Sequence, residues 1–344
     1  MTRSLKKLPA THSVEQPVLE VKDLTVDLPT ASGWTRIIED VSFSVSPGST
    51  LGIVGESGSG KSVTALSVMG LLPPRLSRIP RGSVKLDGEE LIGLPERRMQ
   101  NIRGNLMTMI FQEPMSSLNP ALTVGYQINE LARRHLGVSR SQANELTVEA
   151  LSRVGIPNAQ QRKNSYPYEF SGGMCQRVLI AMAVLCKPRV LIADEPTTAL
   201  DVTIQAEILD LLLEMVHELS IGLVLVTHDL GIIADVCDRV AVMYGGQLVA
   251  VDDVNAVFSR PTHPYAEGLM VSLPQIGTGS RALATIAGEA VTPDNVPSGC
   301  RFHPRCPYAV TQCASEIPDW RVLPSGAMTR CMRYEELDLK GPAQ

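Results

Sequence analysis

Short apolar runs alternate along the chain with segments of helical periodicity. The runs TLGIV (50–54), VLIAD (190–194) and GLVLVT (222–227) are continuous, which is typical of strands buried on both faces. Residues 203–219 instead place their apolar side chains at helical spacing, on one face. This alternation of strand and helix predicts an α/β fold with a mainly parallel sheet covered by helices.

The same pattern divides the chain into regions. Residues 1–16 are polar, and we predict a disordered N-terminus there. Residues 17–258 carry the α/β pattern, and within them residues 113–175 hold polar helical stretches broken by Pro and Gly, which predicts an inserted helical subdomain. Residues 259–344 are rich in Pro, Gly and Cys, and they predict a separate small C-terminal Cys-rich module.

Charge and composition exclude several classes of protein. Lys and Arg number 31 against 36 Asp and Glu, so the net charge of −5 disfavours a nucleic-acid-binding protein, which would carry a basic excess. The chain has no apolar run long enough for a transmembrane helix, and its first residues lack the apolar core of a secretory signal. We therefore expect a cytosolic protein whose membrane role, if it has one, depends on a partner.

Residues 55–62 (GESGSGKS) match the phosphate-binding motif G-x-x-x-x-G-K-[ST], between a predicted strand and a predicted helix. The glycines allow several backbone N–H groups to face one anion, and the helix N-terminus adds positive potential. Lys61 is placed to reach the β- and γ-phosphates, and Ser62 to bind Mg²⁺. The predicted ATP contacts in this segment are Gly55, Glu56, Ser57, Gly58, Ser59, Gly60, Lys61, Ser62 and Val63.

The strand VLIAD supplies the acidic complement of that motif. Asp194 ends the strand, which predicts a carboxylate beside the Mg²⁺ ion. Glu195 follows directly and can polarise the attacking water as a general base. Together with the phosphate-binding motif, this pair predicts a nucleotide-hydrolysing site.

Ser171, Gly172 and Gly173 open a predicted helix, where a hydroxyl and two glycine amides form a second anion site. In this order and spacing the run resembles the signature of ATP-binding-cassette (ABC) ATPases, and the resemblance covers residues 18–258. It implies the ABC cassette form of the P-loop NTPase fold, with an antiparallel β-subdomain and an inserted helical subdomain. It also implies a head-to-tail dimer, in which the signature of one subunit closes on ATP held by the other.

Other positions match the elements of that family one by one. By the resemblance, Gln112 is the Q-loop glutamine, the run Ala199-Leu200-Asp201 is the D-loop, and His228 is the switch histidine on the γ-phosphate. Trp34 is a candidate for stacking on the adenine ring. The catalytic residues so implied are Glu195, His228, Lys61 and Gln112. The Mg²⁺ ligands so implied are Ser62, Gln112 and Asp194.

Four segments narrow the resemblance to a subfamily. Residues 55–73 (GESGSGKSVTALSVMGLLP), 111–128 (FQEPMSSLNPALTVGYQI), 260–274 and 299–313 (GCRFHPRCPYAVTQC) resemble ATPase subunits of dipeptide/oligopeptide importers. This implies ATP-driven peptide import at the cytoplasmic face of the plasma membrane. The implied partners are a second homologous ATPase, two transmembrane permease subunits and, indirectly, an extracytoplasmic substrate-binding protein. No nucleic acid is expected.

Other functions stay open at this stage. The same importer role could serve nickel, glutathione or an oligosaccharide, because this subunit does not touch the cargo. A soluble ABC ATPase of DNA repair or translation is a candidate of another class, disfavoured by the net charge. A metal-cluster sensor with an inactive cassette is a further candidate, disfavoured because the catalytic positions are intact.

Four of the seven cysteines fall in the last 45 residues, as Cys300, Cys306, Cys313 and Cys331. Their spacing lacks the C-x₂-C pairs of a zinc ribbon, and a cytosolic chain disfavours disulfides. Four thiolates could hold Zn²⁺ or an iron–sulfur cluster, and the residues alone leave this choice open. The resemblance implies a [4Fe–4S] cluster, with zinc or unmetallated thiols as alternatives.

Overall fold

The structure of the protein, a computed structural model, describes residues 16–31, 33–198, 200–272 and 286–341. The predicted disorder before residue 16 therefore lies outside the described residues. The strands are β1 (Leu19–Thr30), β2 (Gly33–Val45), β3 (Thr50–Val54), β4 (Arg78–Leu86), β5 (Glu89–Glu90), β6 (Met107–Ile110), β7 (Val190–Asp194), β8 (Gly222–Thr227), β9 (Arg239–Tyr244), β10 (Gln247–Asp253), β11 (Arg321–Val322) and β12 (Met328–Thr329). The helices are α1 (Lys61–Val68), α2 (Glu96–Ile102), α3 (Pro114–Ser117), α4 (Val124–Leu136), α5 (Arg140–Arg153), α6 (Ala159–Arg162), α7 (Gly172–Val184), α8 (Val202–Leu219), α9 (Leu230–Val236), α10 (Val254–Ser259), α11 (Pro264–Val271) and α12 (Thr311–Ser315).

The central sheet has the strand order β11-β12-β10-β9-β3-β8-β7-β6. Its strands from β9 to β6 run parallel to one another, whereas β10, β12 and β11 pair in antiparallel fashion. This confirms the predicted α/β fold with a mainly parallel sheet. The three predicted core runs became β3, β7 and β8, and every residue of these strands is buried.

Two apolar cores lie on the opposite faces of this sheet. In β8, Leu223 and Leu225 pack into the core shared with α7 and α8, whereas Val224 and Val226 pack into the core shared with α1 and the first strands. Successive side chains of a strand point to opposite faces, so a strand covered on both sides must be apolar throughout. The continuous apolar runs in the sequence have this physical cause.

The first residues form a second, four-stranded antiparallel sheet in the order β2-β1-β4-β5. Between β6 and β7 the chain forms α3 to α7, an insertion whose described elements are helical. Both features agree with the expected β-subdomain and helical insertion. Their boundaries, and the limits of the other predicted domains, stay predictions.

Helix α1 ends four residues earlier than the periodicity predicted. The sequence predicted a helix to about Leu72, stopped by the prolines that follow, but α1 ends at Val68. Gly70 adopts a left-handed φ of 62°, and the N–H of Leu71 donates to the carbonyl of Leu66 at 2.9 Å. This is a Schellman motif, so a glycine ends the helix before the prolines are reached.

The residues after 259 that the structure describes do not form a separate layer. Strand β12 pairs with β10, and β11 pairs with β12. These two short strands extend the central sheet. Tyr265 and Phe302 are buried, and their rings pack on that of Tyr244 at centroid distances of 4.5 and 5.1 Å. The C-terminal part therefore shares its core with the nucleotide-binding part.

Candidate active site

Four parallel strands end at one edge of the central sheet, and the predicted site residues follow these ends. Residue Val54 of β3 lies opposite Thr227 of β8, and Asp194 of β7 lies opposite Val226. Strand β6 ends at Ile110, opposite Ala193 of β7. Carboxyl ends of parallel strands are where α/β proteins bind ligands. The loops after β3, β6, β7 and β8 consequently meet at one place.

The phosphate loop (residues 55–62) needs glycine at three positions. Gly58 and Gly60 have φ values of 78° and 105°, which side chains rarely allow. A Cβ atom on Gly55 would lie 2.1 Å from the carbonyl oxygen of Met243, so the backbone approaches β9 too closely for a side chain. These constraints curl the loop and direct it into the N-terminus of α1.

Lys61 is buried, and its ammonium lies over the phosphate loop. Its Nζ atom donates to the carbonyl oxygens of Gly55 at 2.8 Å and Glu56 at 2.9 Å. Burial lowers the pKa of Lys61, opposed by the negative charges of Glu195 and Asp194. These contacts hold a cation at the point where an anion entering the loop would arrive.

Ser62 and Asp194 form an oxygen pair beside the lysine. The Ser62 hydroxyl donates to Oδ1 of Asp194 at 3.1 Å. The pKa of Asp194 is raised, because the effect of burial is larger than the opposing effect of the hydrogen bond from Ser62. Hydroxyl and carboxylate oxygens are the hard ligands that Mg²⁺ takes, so the donor set fits this ion.

Glu195 gathers three side chains from three different loops. Its Oε2 atom accepts from Gln112 Nε2 at 2.8 Å and from Thr198 Oγ1 at 2.9 Å, and its Oε1 atom lies 2.9 Å from Nδ1 of His228. Burial acts to raise the pKa of Glu195, but the hydrogen bonds from His228 and Thr198 outweigh it and the pKa is lowered. The sequence predicted Gln112, Glu195 and His228; it gave no signal for Thr198.

The predicted signature residues lie at the start of α7. Ser171 is the N-cap of this helix, and its hydroxyl accepts from the N–H of Met174 at 3.3 Å. Gly173 lies against α8, because a Cβ there would be 2.7 Å from Cγ2 of Ile204. Gly172 has a looser neighbour, Leu200, at 3.6 Å from such a Cβ. Beyond the helical insertion, the described neighbours of these two glycines are Leu200, just before α8, and Ile204 of α8.

Two further predicted site residues lie at exposed positions. Trp34 is in the β1–β2 hairpin, paired with Pro29, and the Arg78 guanidinium lies 3.7 Å from the centre of its ring. One face of the indole is thus already covered by a cation. Asp201 is the exposed residue just before α8. Ala199, predicted with it, lies outside the described residues.

The structure adds contacts to the phosphate loop that sequence reasoning missed. The carboxylate of Glu56 pairs with Arg305, and the Glu56 N–H donates to the hydroxyl of Tyr265 at 2.9 Å. The position of Glu56 inside an anion-binding loop is a signal that a cation lies near it, because an unpaired carboxylate would repel a bound anion. The sequence gave no indication of which cation it was.

The four C-terminal cysteines line one cavity of about 20 Å³. Within the described residues they are free thiols. Burial, together with the neighbouring thiols, raises the pKa values of Cys306 and Cys331 to about 11. Among all the residues that the structure describes, no three His, Cys, Asp or Glu side chains are placed to hold one metal ion. The predicted iron–sulfur cluster and its zinc alternative are therefore not supported by this geometry as it stands.

The histidines of the C-terminal part serve the backbone. His263 is buried and caps α11, with its Nδ1 atom accepting from the N–H of Tyr265 at 3.0 Å. Nδ1 of His303 lies 2.9 Å from the carbonyl oxygen of Cys300.

Among the described helices, none combines the length and the apolar character needed to span a bilayer.

Sequence comparisons place these features in a family. A profile described as ABC transporter matches residues 38–198, and one described as oligopeptide/dipeptide transporter, C-terminal region, matches residues 249–313. A relative from Brucella ovis, provisionally named a peptide import ATP-binding protein, is 46% identical over 333 residues, with 94% of this chain and 98% of the relative covered. Another of that provisional name, from Brucella melitensis biotype 1, is 47% identical over 315 residues and covers 92% and 94%.

Solved structures agree with this assignment. A dimeric ATP-binding cassette in a post-hydrolysis state, bound to ADP and phosphate, has a TM-score of 0.61 at 26% identity, covering 69% of this chain and 98% of that one. The cbiO1 protein of Clostridium perfringens, part of an ABC transporter complex, has a TM-score of 0.59 at 28% identity, covering 71% and 91%. The chain therefore belongs to the ABC transporter family, as one of its ATPases.

Proposed function

We propose that this chain is the ATP-hydrolysing subunit that powers import of di- and oligopeptides through a membrane ABC transporter. The observation that carries the proposal is the meeting of Gln112, Thr198 and His228 on the Glu195 carboxylate, beside the phosphate loop. Such a group can hold a water molecule in line with a bound γ-phosphate.

Each residue of the site has a distinct role in this proposal. Lys61 leaves the loop carbonyls to bind the β- and γ-phosphates, whose charge its ammonium offsets. Glu195 accepts the proton of the attacking water, since its lowered pKa keeps the carboxylate ionised. Gln112 and His228 orient that carboxylate. Ser62, Asp194 and Gln112 would hold Mg²⁺, which would supply positive charge to counter the charge on the phosphate oxygens.

A second cassette completes the site in this account. Ser171, Gly172 and Gly173 form a hydroxyl and amide group at a helix N-terminus, suited to phosphate oxygens. These residues lie at the start of α7 in the helical insertion, and we propose that they serve ATP held by a partner cassette. That partner is a homologous ATPase or a second copy of this chain.

We further propose that two permease subunits dock near the Q-loop, which puts this chain at the cytoplasmic face of the plasma membrane. Phe111 and Met115 lie close to Gln112 in the sequence and Tyr126 lies in α4, and their side chains are 42%, 47% and 54% exposed. Large apolar side chains exposed along this segment of the chain favour a partner surface. A movement there would act on Gln112 and so on Glu195.

The cargo follows from the family profile of the C-terminal region and from the provisional names of the relatives. The test is uptake of labelled di- and oligopeptides by cells whose only copy of the chain is wild type or Glu195→Gln. Glu149→Gln, an acid-to-amide change at an exposed position of α5, is the matched control. Nickel, glutathione and an oligosaccharide are measured in parallel.

We expect peptide uptake to be lost in Glu195→Gln and kept in Glu149→Gln. Unchanged peptide uptake with loss of another solute would overturn the peptide cargo and keep the importer. If no solute is affected, a soluble ATPase of DNA repair or translation becomes the better account, and the protein should then purify with ribosomes or DNA.

We also propose that Cys300, Cys306, Cys313 and Cys331 hold a [4Fe–4S] cluster. The four thiols line one cavity, and a cluster takes one sulfur on each of its four irons and does not need three sulfurs around a single ion. Single-ion geometry is not present among the described residues, so zinc fits less well. A cluster would tie together a part of the chain with short elements, and its binding would release the thiol protons.

Anaerobic reconstitution of the full-length protein with ferrous iron and sulfide tests this proposal. The expected result is visible absorption and a Mössbauer spectrum typical of a [4Fe–4S] cluster, lost in Cys306→Ser. Cys186→Ser, which changes a thiol outside the cavity, is the control and should keep the cluster. Stoichiometric zinc after purification, with no iron uptake, would contradict the cluster.

A further inference from the structure

Three arginines of the C-terminal part each adjoin a cavity cysteine in the sequence. The pairs are Cys300 with Arg301, Cys306 with Arg305, and Cys331 with Arg330. The side chains of these three arginines are only 9%, 6% and 5% exposed. The cysteines line the cavity, whereas all three guanidinium groups pair with acidic residues of the nucleotide-binding part: Glu39, Glu56 and Asp40.

Arg305 is the arginine that reaches the phosphate loop itself. Its Nη1 atom donates to Oε2 of Glu56 at 2.7 Å, and its Nη2 atom donates to Oε1 at 3.0 Å. This is the bidentate arrangement, the strongest that Arg and a carboxylate make. Its Nε atom donates to the carbonyl oxygen of Ala287 at 2.9 Å, so the guanidinium is itself fixed in orientation.

The same part of the chain holds the phosphate loop at other points. The Tyr265 hydroxyl accepts from the Glu56 N–H at 2.9 Å. Arg301 donates to the carbonyl oxygen of Gly245, and the next residue, Gly246, donates its N–H to the carbonyl oxygen of Ser59 at 2.9 Å. The loop is thus held near both of its ends by contacts that begin in the C-terminal part.

Electrostatics give the Glu56–Arg305 pair a specific consequence. Glu56 is the second residue of a loop that must attract phosphates, and an unpaired carboxylate there would repel them. A buried ion pair contributes little net stability compared with apolar side chains of similar volume. Breaking one by removing a single partner, however, leaves a charge without its counterion. The effect of losing Arg305 should therefore fall on the loop and its ligand.

We propose that Arg305 is a positioning residue for nucleotide binding. It keeps the Glu56 carboxylate paired and directed away from the phosphates, and it holds the loop in the shape that binds them. This inference rests on the proposed function only in that the phosphate loop binds ATP. It gives the C-terminal part a task in the ATP site, which the cysteine cavity alone does not explain.

The test is the affinity of the full-length protein for a non-hydrolysable ATP analogue with Mg²⁺, by isothermal titration calorimetry. The variants are Arg305→Gln, Arg305→Lys and the double change Glu56→Gln with Arg305→Gln. Arg321→Gln is the matched control, because Arg321 lies in the same part of the chain but is 44% exposed and faces Glu335 at 3.9 Å.

We expect Arg305→Gln to raise the Kd at least about tenfold, and Arg321→Gln to leave it within about twofold. The double variant should recover most of the lost affinity, because no carboxylate is left without its cation. Arg305→Lys keeps the positive charge but cannot make the bidentate contact with the carboxylate. The Kd of this variant should therefore lie between those of wild type and Arg305→Gln. Thermal unfolding of each variant identifies any that fail to fold, and Arg305→Lys then carries the test.

Two results would overturn the inference while leaving the proposed function intact. One is wild-type affinity in Arg305→Gln. The other is weak binding in Arg305→Gln that Glu56→Gln does not restore, since that pattern indicates a general loss of structure. A wild-type chain that binds no nucleotide would instead overturn the proposed function, and this inference with it.

Discussion

Glu195 shows at the scale of one residue how the site is prepared. Its φ of 46° is left-handed, a conformation that costs a non-glycine residue free energy and tends to persist at functional sites. The N–H of Glu195 donates to the carbonyl oxygen of Val226 at 2.8 Å, which ties the turn to β8. The carboxylate is consequently directed at Gln112 and His228.

His263 gives a prediction at this scale on the pH dependence of stability. Burial lowers the pKa of His263 from 6.5 to about 3. Below about pH 6.5 the unfolded chain therefore binds a proton that the native state does not. The contribution of His263 to stability is fully present above that pH, and it is lost as the pH falls toward 3, by at most about 1.4 kcal/mol per pH unit.

Replacing His263 by Asn keeps an acceptor for the Tyr265 N–H but removes the titration. Between about pH 7.5 and about pH 5, wild type should lose roughly 2 kcal/mol more of its free energy of unfolding than His263→Asn does. Urea unfolding at both pH values measures this difference. Equal losses in the two proteins would show that His263 does not titrate in this way.

At the scale of elements, the turn between β9 and β10 fixes the phosphate loop. The sequence placed this turn at Gly245 and Gly246, and both residues have left-handed φ values, of 52° and 81°. Gly246 also approaches β2 so closely that a Cβ would lie 2.2 Å from the carbonyl oxygen of Ile37. Its N–H holds the carbonyl of Ser59, so a shift of this turn would move the loop.

Gly246→Ala and Gly88→Ala separate close approach from backbone strain. Gly88 has nearly the same φ, 83°, but a Cβ there would meet no atom within 4 Å. Gly88→Ala should cost about 1 kcal/mol for the left-handed backbone alone. Gly246→Ala should cost about 1–3 kcal/mol more, because the backbone must move. Urea unfolding measures both, and nucleotide affinity should fall only in Gly246→Ala.

The opposite outcome is informative for this pair. Equal destabilisation of the two variants, with unchanged nucleotide affinity, would mean that the turn does not hold the phosphate loop.

The elements near the site could be predicted because their signals are local. Strands buried on both faces require continuous apolar runs in the sequence. A phosphate loop requires its glycines, Lys61 and Ser62 at fixed spacing. The pairing of Glu56 with Arg305 could not be predicted, since 249 residues separate the two and neither lies in a periodic segment. The sequence predicted that the prolines after Leu72 stop α1, whereas the helix ends at Val68 and Gly70 adopts the left-handed conformation that terminates it.

At the scale of the whole molecule, the described C-terminal part and the nucleotide-binding part share one sheet and several ion pairs. Strand β12 continues the central sheet, and buried arginines join the two parts. The sequence changes character near residue 259, which predicted a separate module. The composition of residues 259–344 does not predict these contacts with the nucleotide-binding part. Three ion pairs and two short strands produce no periodic pattern in the sequence.

The proposed partner cassette gives a prediction at this scale. Both Asp and Asn are good N-cap residues, so Ser171→Asp and Ser171→Asn should both keep α7 folded. Only Asp adds negative charge where a phosphate of the partner's ATP would bind. In the assembled transporter, Ser171→Asp should lower ATP hydrolysis by roughly 10²-fold and Ser171→Asn by much less.

Steady-state ATPase measurements on the two assembled complexes provide the comparison. Equal rates in Ser171→Asp and wild type would argue that these residues face no phosphate. Circular dichroism of the isolated chains checks that both variants keep their helix content.

The most direct test of the whole account is a paired measurement of ATP binding and ATP hydrolysis in the assembled complex, with wild type, Glu195→Gln and Glu149→Gln. The account predicts that Glu195→Gln binds ATP as wild type does but hydrolyses it roughly 10²–10⁴ times more slowly, with Glu149→Gln unchanged. Hydrolysis at the wild-type rate in Glu195→Gln would contradict the assignment of Glu195 as general base, and with it the proposed active site.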